Sequence, residues 1–266
     1  MNVIEIFLIL CLGHLASDFV LQTDAMVKAK KHGGAAYLKH GLIHYVAIVV
    51  VTVLADPALL ARIRFQAVCV ALIGAHLLID FCKEHFTAAA KIRDTALAFL
   101  TDQAAHIVTI VAAALLVTGT SPVAAVAWLA ALVPQRDRIL AVLVIYFAVV
   151  FAGGYAIRYL TRPLTRHLPQ IGDESTASLR NAGMYIGWLE RSLVLTAMIL
   201  RSPATVGLVL AAKSIARFPE LGKSERFAEY FPIGTLLKFA RGDFWRHRAA
   251  ESSHRPRYAG AVSDFQ

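Results

Sequence analysis

The sequence predicts an all-α protein: a polytopic transmembrane helical bundle of about seven spans with a disordered C-terminal tail. Three observations carry the prediction. Hydrophobic residues make up 58% of the 266 residues and charged residues 17%, and the mean hydropathy is +0.59. The apolar residues fall in blocks of membrane-spanning length instead of amphipathic stripes. Basic residues collect between those blocks and in the tail, as the anionic cytoplasmic leaflet favours.

In chain order the blocks run Val3–Gln22, Leu38–Leu54, Phe65–Phe81, Ala96–Val117, Ile139–Tyr159, Ala182–Leu200 and Pro203–Ile215, most of them about 17–22 residues, enough to cross a bilayer as a helix. A shorter block, Val123–Val133, is bracketed by Pro122 and Pro134 and fits a re-entrant or interfacial segment. Glu5 and the lack of an early lysine or arginine make the first block unlike a cleavable signal peptide, so it reads as a retained helix. The stretch Arg162–Arg180, with Pro163, Pro169 and Gly172, reads as a polar linker. Glu229–Leu237 contains Pro232 and Gly234 and reads as a bent or re-entrant piece. From about Arg241 the chain mixes Arg, His, Ser, Gly and Pro without periodicity, the mark of a disordered basic tail. The expected organisation is a four-helix membrane unit over 1–120, a short segment plus one span over 121–160, the linker over 161–181, a C-terminal hairpin and bent segment over 182–240, and the tail over 241–266.

A net charge of +9 raises nucleic acid as a partner, but no recognition motif accompanies it. Membrane lipids are the expected partners. Lys28, Lys30, Lys31 and Lys39 lie between the first two blocks, and Lys83, Lys91 and Arg93 between the third and fourth. The positive-inside rule places these connections in the cytoplasm, with the N-terminus outside and the basic tail cytoplasmic. The setting expected is the inner, or plasma, membrane. Cys11, Cys69 and Cys82 have neither a CxxC spacing nor an even count and read as small buried apolar residues.

Within the first four blocks the chain places two ionisable residues four apart, four times over: His14 with Asp18, His40 with His44, His76 with Asp80, and Asp102 with His106. Residues at i and i+4 share a helix face, so each pair aims at one spot. The pairs sit late, early, late and early in successive blocks, and antiparallel helices therefore bring all four to one level. Ionisable groups inside a bilayer cost on the order of 2.5–3.5 kcal/mol each at the helix centre, so eight of them need partners. A shared divalent metal supplies one, zinc first and manganese or iron next, since imidazole and carboxylate suit those ions without a thiolate. A set of satisfied Asp–His and His–His hydrogen bonds is the alternative. Gln22, Asp24, Lys83, Glu84, His85 and Gln103 are candidates for the rim, where the lysine could hold an anion. In the second half, Glu190, Arg191, Lys213 and Arg217 lie within apolar blocks and suit either an ion pair within the hairpin or a phosphate contact.

The runs GHLASDFVLQTD (Gly13–Asp24), LKHGLIH (Leu38–His44), AHLLIDFCK (Ala75–Lys83) and LTDQAAH (Leu100–His106) resemble the bacterial membrane proteins of the domain of unknown function 3307 family, over roughly the first 120 residues. GWLERSL (Gly187–Leu193), AAKSIARF (Ala211–Phe218) and EYFPIGTLL (Glu229–Leu237) look like the second half of longer members. More remotely, HxxxD-type pairs on helices are similar to the membrane-bound metal-dependent hydrolases and the zinc phospholipase C and nuclease superfamily. That likeness implies clustered zinc ions hydrolysing phosphoesters, although the superfamily's N-terminal tryptophan ligand has no counterpart here. The function expected is a metal-dependent phosphoester hydrolase, with a phosphate-bearing lipid as substrate. Its competitors are a proton- or ion-coupled transporter using the same residues as a relay, and a membrane scaffold.

Overall fold

A computed structural model describes residues 2–30, 33–88, 95–123, 137–165 and 182–221. The short 123–133 block beyond its first residue, most of the 161–181 linker, the 229–237 segment and the basic tail lie outside the described residues, as do His32, His167, His247 and His254. The chain divides into two units, Met1–Arg201 and Ser202–Gln266.

All regular structure among the described residues is helical. In the first unit the elements are α1 (Val3–Ala16), continued by a π turn at Ser17–Leu21, then α2 (Asp24–Lys30), α3 (Gly34–Ala55), a 3₁₀ turn at Pro57–Ala61, α4 (Ile63–Ala88) and α5 (Ala96–Thr118). There follow α6 (Arg138–Tyr146), a second π turn at Phe147–Ala152, α7 (Gly153–Thr165) and α8 (Ala182–Ile199). The second unit contributes α9 (Pro203–Leu221). Five of the seven apolar blocks form helices long and apolar enough to cross a membrane: Val3–Leu21, Gly34–Ala55, Ile63–Thr87, Ala96–Thr118 and Arg138–Thr161. This is the pattern of a multi-pass membrane protein. In α8, Glu190 and Arg191 interrupt the apolar run at mid-length.

The helix ends follow local chemistry. Asn2 accepts the Ile4 N–H (3.0 Å) and Thr95 the Ala98 N–H (3.3 Å), capping α1 and α5. Asp56 accepts from Ala58 N–H (3.2 Å) in the short α3–α4 connection. Gly119, at φ 70°, ends α5 in the left-handed conformation and donates its N–H to Leu115 O (2.8 Å).

Helix α1 is apolar on every side and runs through the middle of the bundle, with Ile6, Ile9 and Leu10 fully buried, as expected of a helix without a polar face. The other helices sort their faces by burial. On α3, His40, Gly41, His44, Ala47, Ile48 and Thr52 point inward, while Leu38, Leu42, Val46, Val50 and Val53 are exposed. Helices α1 and α3 meet at Gly13, where a Cβ would lie 2.8 Å from Ile48 Cγ1 and 3.3 Å from Ile48 Cα. The missing side chain lets the backbones approach closely, a common device in membrane helix pairs, and it sets His14 beside His44. Deeper in the core, the buried hydroxyls of Ser17 and Thr52 donate to Gly13 O (2.8 Å) and Ile48 O (2.7 Å) and so need no further partner. Cys11 and Cys69 are buried as expected, whereas Cys82 is exposed on α4.

Candidate metal centre

All eight residues of the four pairs meet at one end of the α1, α3, α4 and α5 bundle. Each helix supplies one pair, and the π turn that widens the end of α1 carries Asp18. Such turns are frequent where a side chain must be re-aimed. The five imidazoles form a continuous cluster. His40 Nε2 lies 3.0 Å from His76 Nε2, and His76 Nδ1 lies 3.0 Å from His106 Nδ1. The ring centroids of His44 and His76 are 3.9 Å apart, and His14 stands 5.0 Å from His106 and 5.8 Å from His44. His40 and His106 are 0% and 1% exposed.

The carboxylates are threaded through the rings. Asp18 Oδ1 is 2.9 Å from His44 Nε2, 3.2 Å from His40 Nε2 and 3.5 Å from His76 Nε2, and Asp18 Oδ2 is 3.7 Å from His14 Nδ1. Asp80 Oδ2 is 3.5 Å from His40 Nε2 and 3.7 Å from His76 Nε2, and Asp80 Oδ1 is 3.6 Å from His106 Nε2. Asp102 Oδ1 also lies 3.6 Å from His106 Nε2. Three sets of donor atoms are close enough to share an ion: His14, Asp18, His44 and His76; His40, His76 and Asp80; and Asp80, Asp102 and His106.

Two features separate this cluster from an ordinary polar core. A tetrahedral zinc ion with bonds of about 2.0–2.2 Å spaces its ligand atoms about 3.3–3.6 Å apart, and the oxygen-to-nitrogen separations here run from 2.9 to 3.7 Å. Most exceed a good hydrogen bond. The second feature is that four atoms of the cluster, His14 Nε2, His40 Nδ1, His106 Nε2 and Asp102 Oδ1, are buried with no hydrogen-bond partner among the described residues. Buried polar atoms are ordinarily satisfied, as Ser17 and Thr52 are, so these orphans fit a donor set built for a cation.

Above the cluster lies a cleft of about 370 Å³. Asp18, Asp80 and Asp102 reach its wall, together with Asp24 and Glu84, against the cations Lys30, Lys83 and Arg158. Five acidic and three basic groups leave it net negative. Tyr155 and Tyr159 of α7 close one side. Below the cluster the packing is tight: a cavity of only about 10 Å³ is lined by Leu10, Ile48, Leu72, Ile73, Thr109 and Ile110 besides the histidines.

Of the rim expected from sequence, Gln22, Asp24, Lys83, Glu84 and Gln103 line the cleft, while His85 stacks on Phe81 at 6.1 Å. Lys83 does not stand free for an anion, because its Nζ donates to Asp102 Oδ2 at 2.9 Å, as does Gln103 Nε2 at 3.0 Å. Sequence reasoning missed Lys30. It reads there as a loop lysine, yet it ends α2, is buried, and places Nζ 2.5 Å from Asp80 Oδ2. The available signal was Thr23, which accepts the Met26 N–H at 3.3 Å and starts the short helix. The contributions of Tyr155, Arg158 and Tyr159 were likewise invisible, because they arrive from a helix some 140 residues away in sequence from α1.

Residues 6–133 match the family model described as "Protein of unknown function (DUF3307)". The match covers a little under half of the chain. It contains all eight clustered residues and the whole of α3, α4 and α5. Among the described residues, what the helices after the DUF3307-matched region bring to the cleft is its aromatic and arginine wall, Tyr155, Arg158 and Tyr159. No curated protein and no solved structure matches the chain.

Proposed function

We propose that the DUF3307 bundle is a metal-dependent phosphoester hydrolase of the bacterial inner membrane, acting on a phosphate-bearing lipid from a cleft on the cytoplasmic side. The observation that carries the reading is the set of buried, unpartnered donors, His106 Nε2, Asp102 Oδ1 and His14 Nε2, at ligand spacing beneath an open cleft. Zinc fits the nitrogen and oxygen donors best, with manganese or iron also compatible.

A divalent cation there would supply Lewis acidity and lower the pKa of water. The chain's own groups account for the remaining steps. A carboxylate of the cleft wall accepts a proton as the water oxygen attacks phosphorus. The P–O ester bond breaks, and the leaving oxygen takes up that proton, so that a diester and water give a monoester and an alcohol. Arg158, exposed on the same wall, offers its charge to the phosphate oxygens. Tyr155 and Tyr159 suit the headgroup level of a bilayer, where aromatic rings collect.

One observation favours a second reading. The His40–His76–His106 contacts form a chain of imidazoles suited to passing protons. Among the described residues, the small cavity below that chain is lined by no titratable side chain beyond the histidines themselves. The deciding experiment uses the purified, metal-loaded protein against a chromogenic phosphodiester, and the same protein in liposomes. Hydrolysis abolished by chelation supports the hydrolase. Ion or proton flux without hydrolysis supports the carrier.

A further inference from the structure

We infer that the cluster holds two divalent cations, one at the cleft mouth on His106, Asp80 and Asp102 and one deeper on His14, Asp18 and His44; this rests on the metal-centre reading above. The two donor sets share no residue, so filling one leaves the other complete. At the mouth, His106 Nε2 faces Asp80 Oδ1 and Asp102 Oδ1 at 3.6 Å each. These separations are too long for hydrogen bonds and suit three donors around one ion. Lys83 and Gln103 hold the other oxygen of Asp102 and so turn Oδ1 toward the histidine, the orienting role that outer groups play around metal ligands. Three protein donors with the remaining side open to the cleft is the layout of a catalytic ion rather than a structural one.

The deeper set is buried too: His14 is 4% exposed, its Nδ1 lies 3.7 Å from Asp18 Oδ2, and its Nε2 has no hydrogen-bond partner among the described residues. Asp18 sends Oδ1 to His44 and Oδ2 to His14, so one carboxylate already joins both rings. A single ion placed at the deeper set would leave His106 Nε2 and Asp102 Oδ1 buried without a hydrogen bond.

His76 stands between the two sets, and its proton decides how it serves them. Its Nδ1 meets His106 Nδ1 at 3.0 Å, a contact that holds one proton. With that proton on His106 Nδ1, the His106 Nε2 lone pair faces the two carboxylates and His76 must carry its own hydrogen on Nε2, next to His40 Nε2 and Asp18 Oδ1. His76 is then a positioning residue that fixes the His106 tautomer, while Asp80 turns Oδ1 toward the mouth and Oδ2 toward His40, His76 and Lys30.

The test is to strip the full-length protein in detergent with a chelator, reload it with Mn²⁺ alone, and count bound ions per chain after desalting. Circular dichroism and gel filtration would check that each variant is folded. The parent should hold two ions, and Asp102→Asn and Asp18→Asn should each hold one. A parent that holds one ion overturns the two-site inference while leaving the metal centre standing. A parent that holds none overturns both. Folded Asp102→Asn and Asp18→Asn proteins that each lose every ion would show a single site and also overturn the inference.

Discussion

Helix α1 and the α6–α7 segment are both apolar enough to cross a membrane, yet 78% of the α1 span is buried inside the protein and only 6% of the Arg138–Thr161 span. The first is a core element and the second a wall. On α1 every face is covered by α3, α5 or α6–α7, and the polar residues of α1 and its π turn, Glu5, His14, Ser17 and Asp18, all lie inside the bundle. The outer segment meets the site only through its far end, at Tyr155, Arg158 and Tyr159. Where a charge does enter that outer layer it is handled locally: Arg191 of α8 donates Nε to Val150 O at 2.8 Å, a carbonyl within the π turn, where the regular helix ladder is interrupted. The lesson is that hydropathy marks a span, while burial of ionisable groups marks the helices that build the site.

The contrast is broken most severely at the core. Asp80→Ala removes the partner of the buried Lys30 ammonium and is expected to cost about 3–5 kcal/mol, read as a lowered thermal midpoint in detergent, together with loss of metal. Gly13→Ala comes next. The new methyl would meet Ile48 side chain and backbone together, so α1 and α3 must separate; a loss of about 1–3 kcal/mol and weaker metal retention are expected in the same assays.

That sensitivity of the core was only partly legible in the sequence. The i, i+4 pairs and their alternation late and early along successive blocks placed His14, Asp18, His40, His44, His76, Asp80, Asp102 and His106 together, because helix periodicity and antiparallel alternation fix both face and depth. Lys30 escaped, since a seven-residue helix such as α2 leaves a weak periodic signal and its lysine resembles any loop cation. Lys83 was seen but given to an anion, because a sequence does not show that Asp102, 19 residues away, takes its proton donor first. The close approach at Gly13 was hidden for a related reason: a glycine in an apolar helix announces no partner until Ile48 is found against it.

In the outer layer the expected effects shrink. Gly154→Ala presses a methyl on the flexible end of Arg191, 2.7 Å from its Nη2, and should cost about 0.5–1.5 kcal/mol, the worth of the Arg191–Val150 hydrogen bond, with metal content unchanged. Arg158→Ala, on the exposed cleft wall, should leave stability within about 0.5 kcal/mol and metal content intact while raising the concentration of phosphodiester needed for half-maximal rate. A large loss of metal in either variant would show that the outer segment belongs to the centre after all.

The most direct test of the central claim is elemental analysis of the detergent-purified parent beside an Asp80→Ala, His106→Ala double variant shown to be folded. The account predicts stoichiometric zinc, manganese or iron in the parent and its loss in the variant. A parent that stays metal-free after reconstitution with each of these ions would contradict it, and would leave the cluster a network of hydrogen bonds and ion pairs holding four helices together.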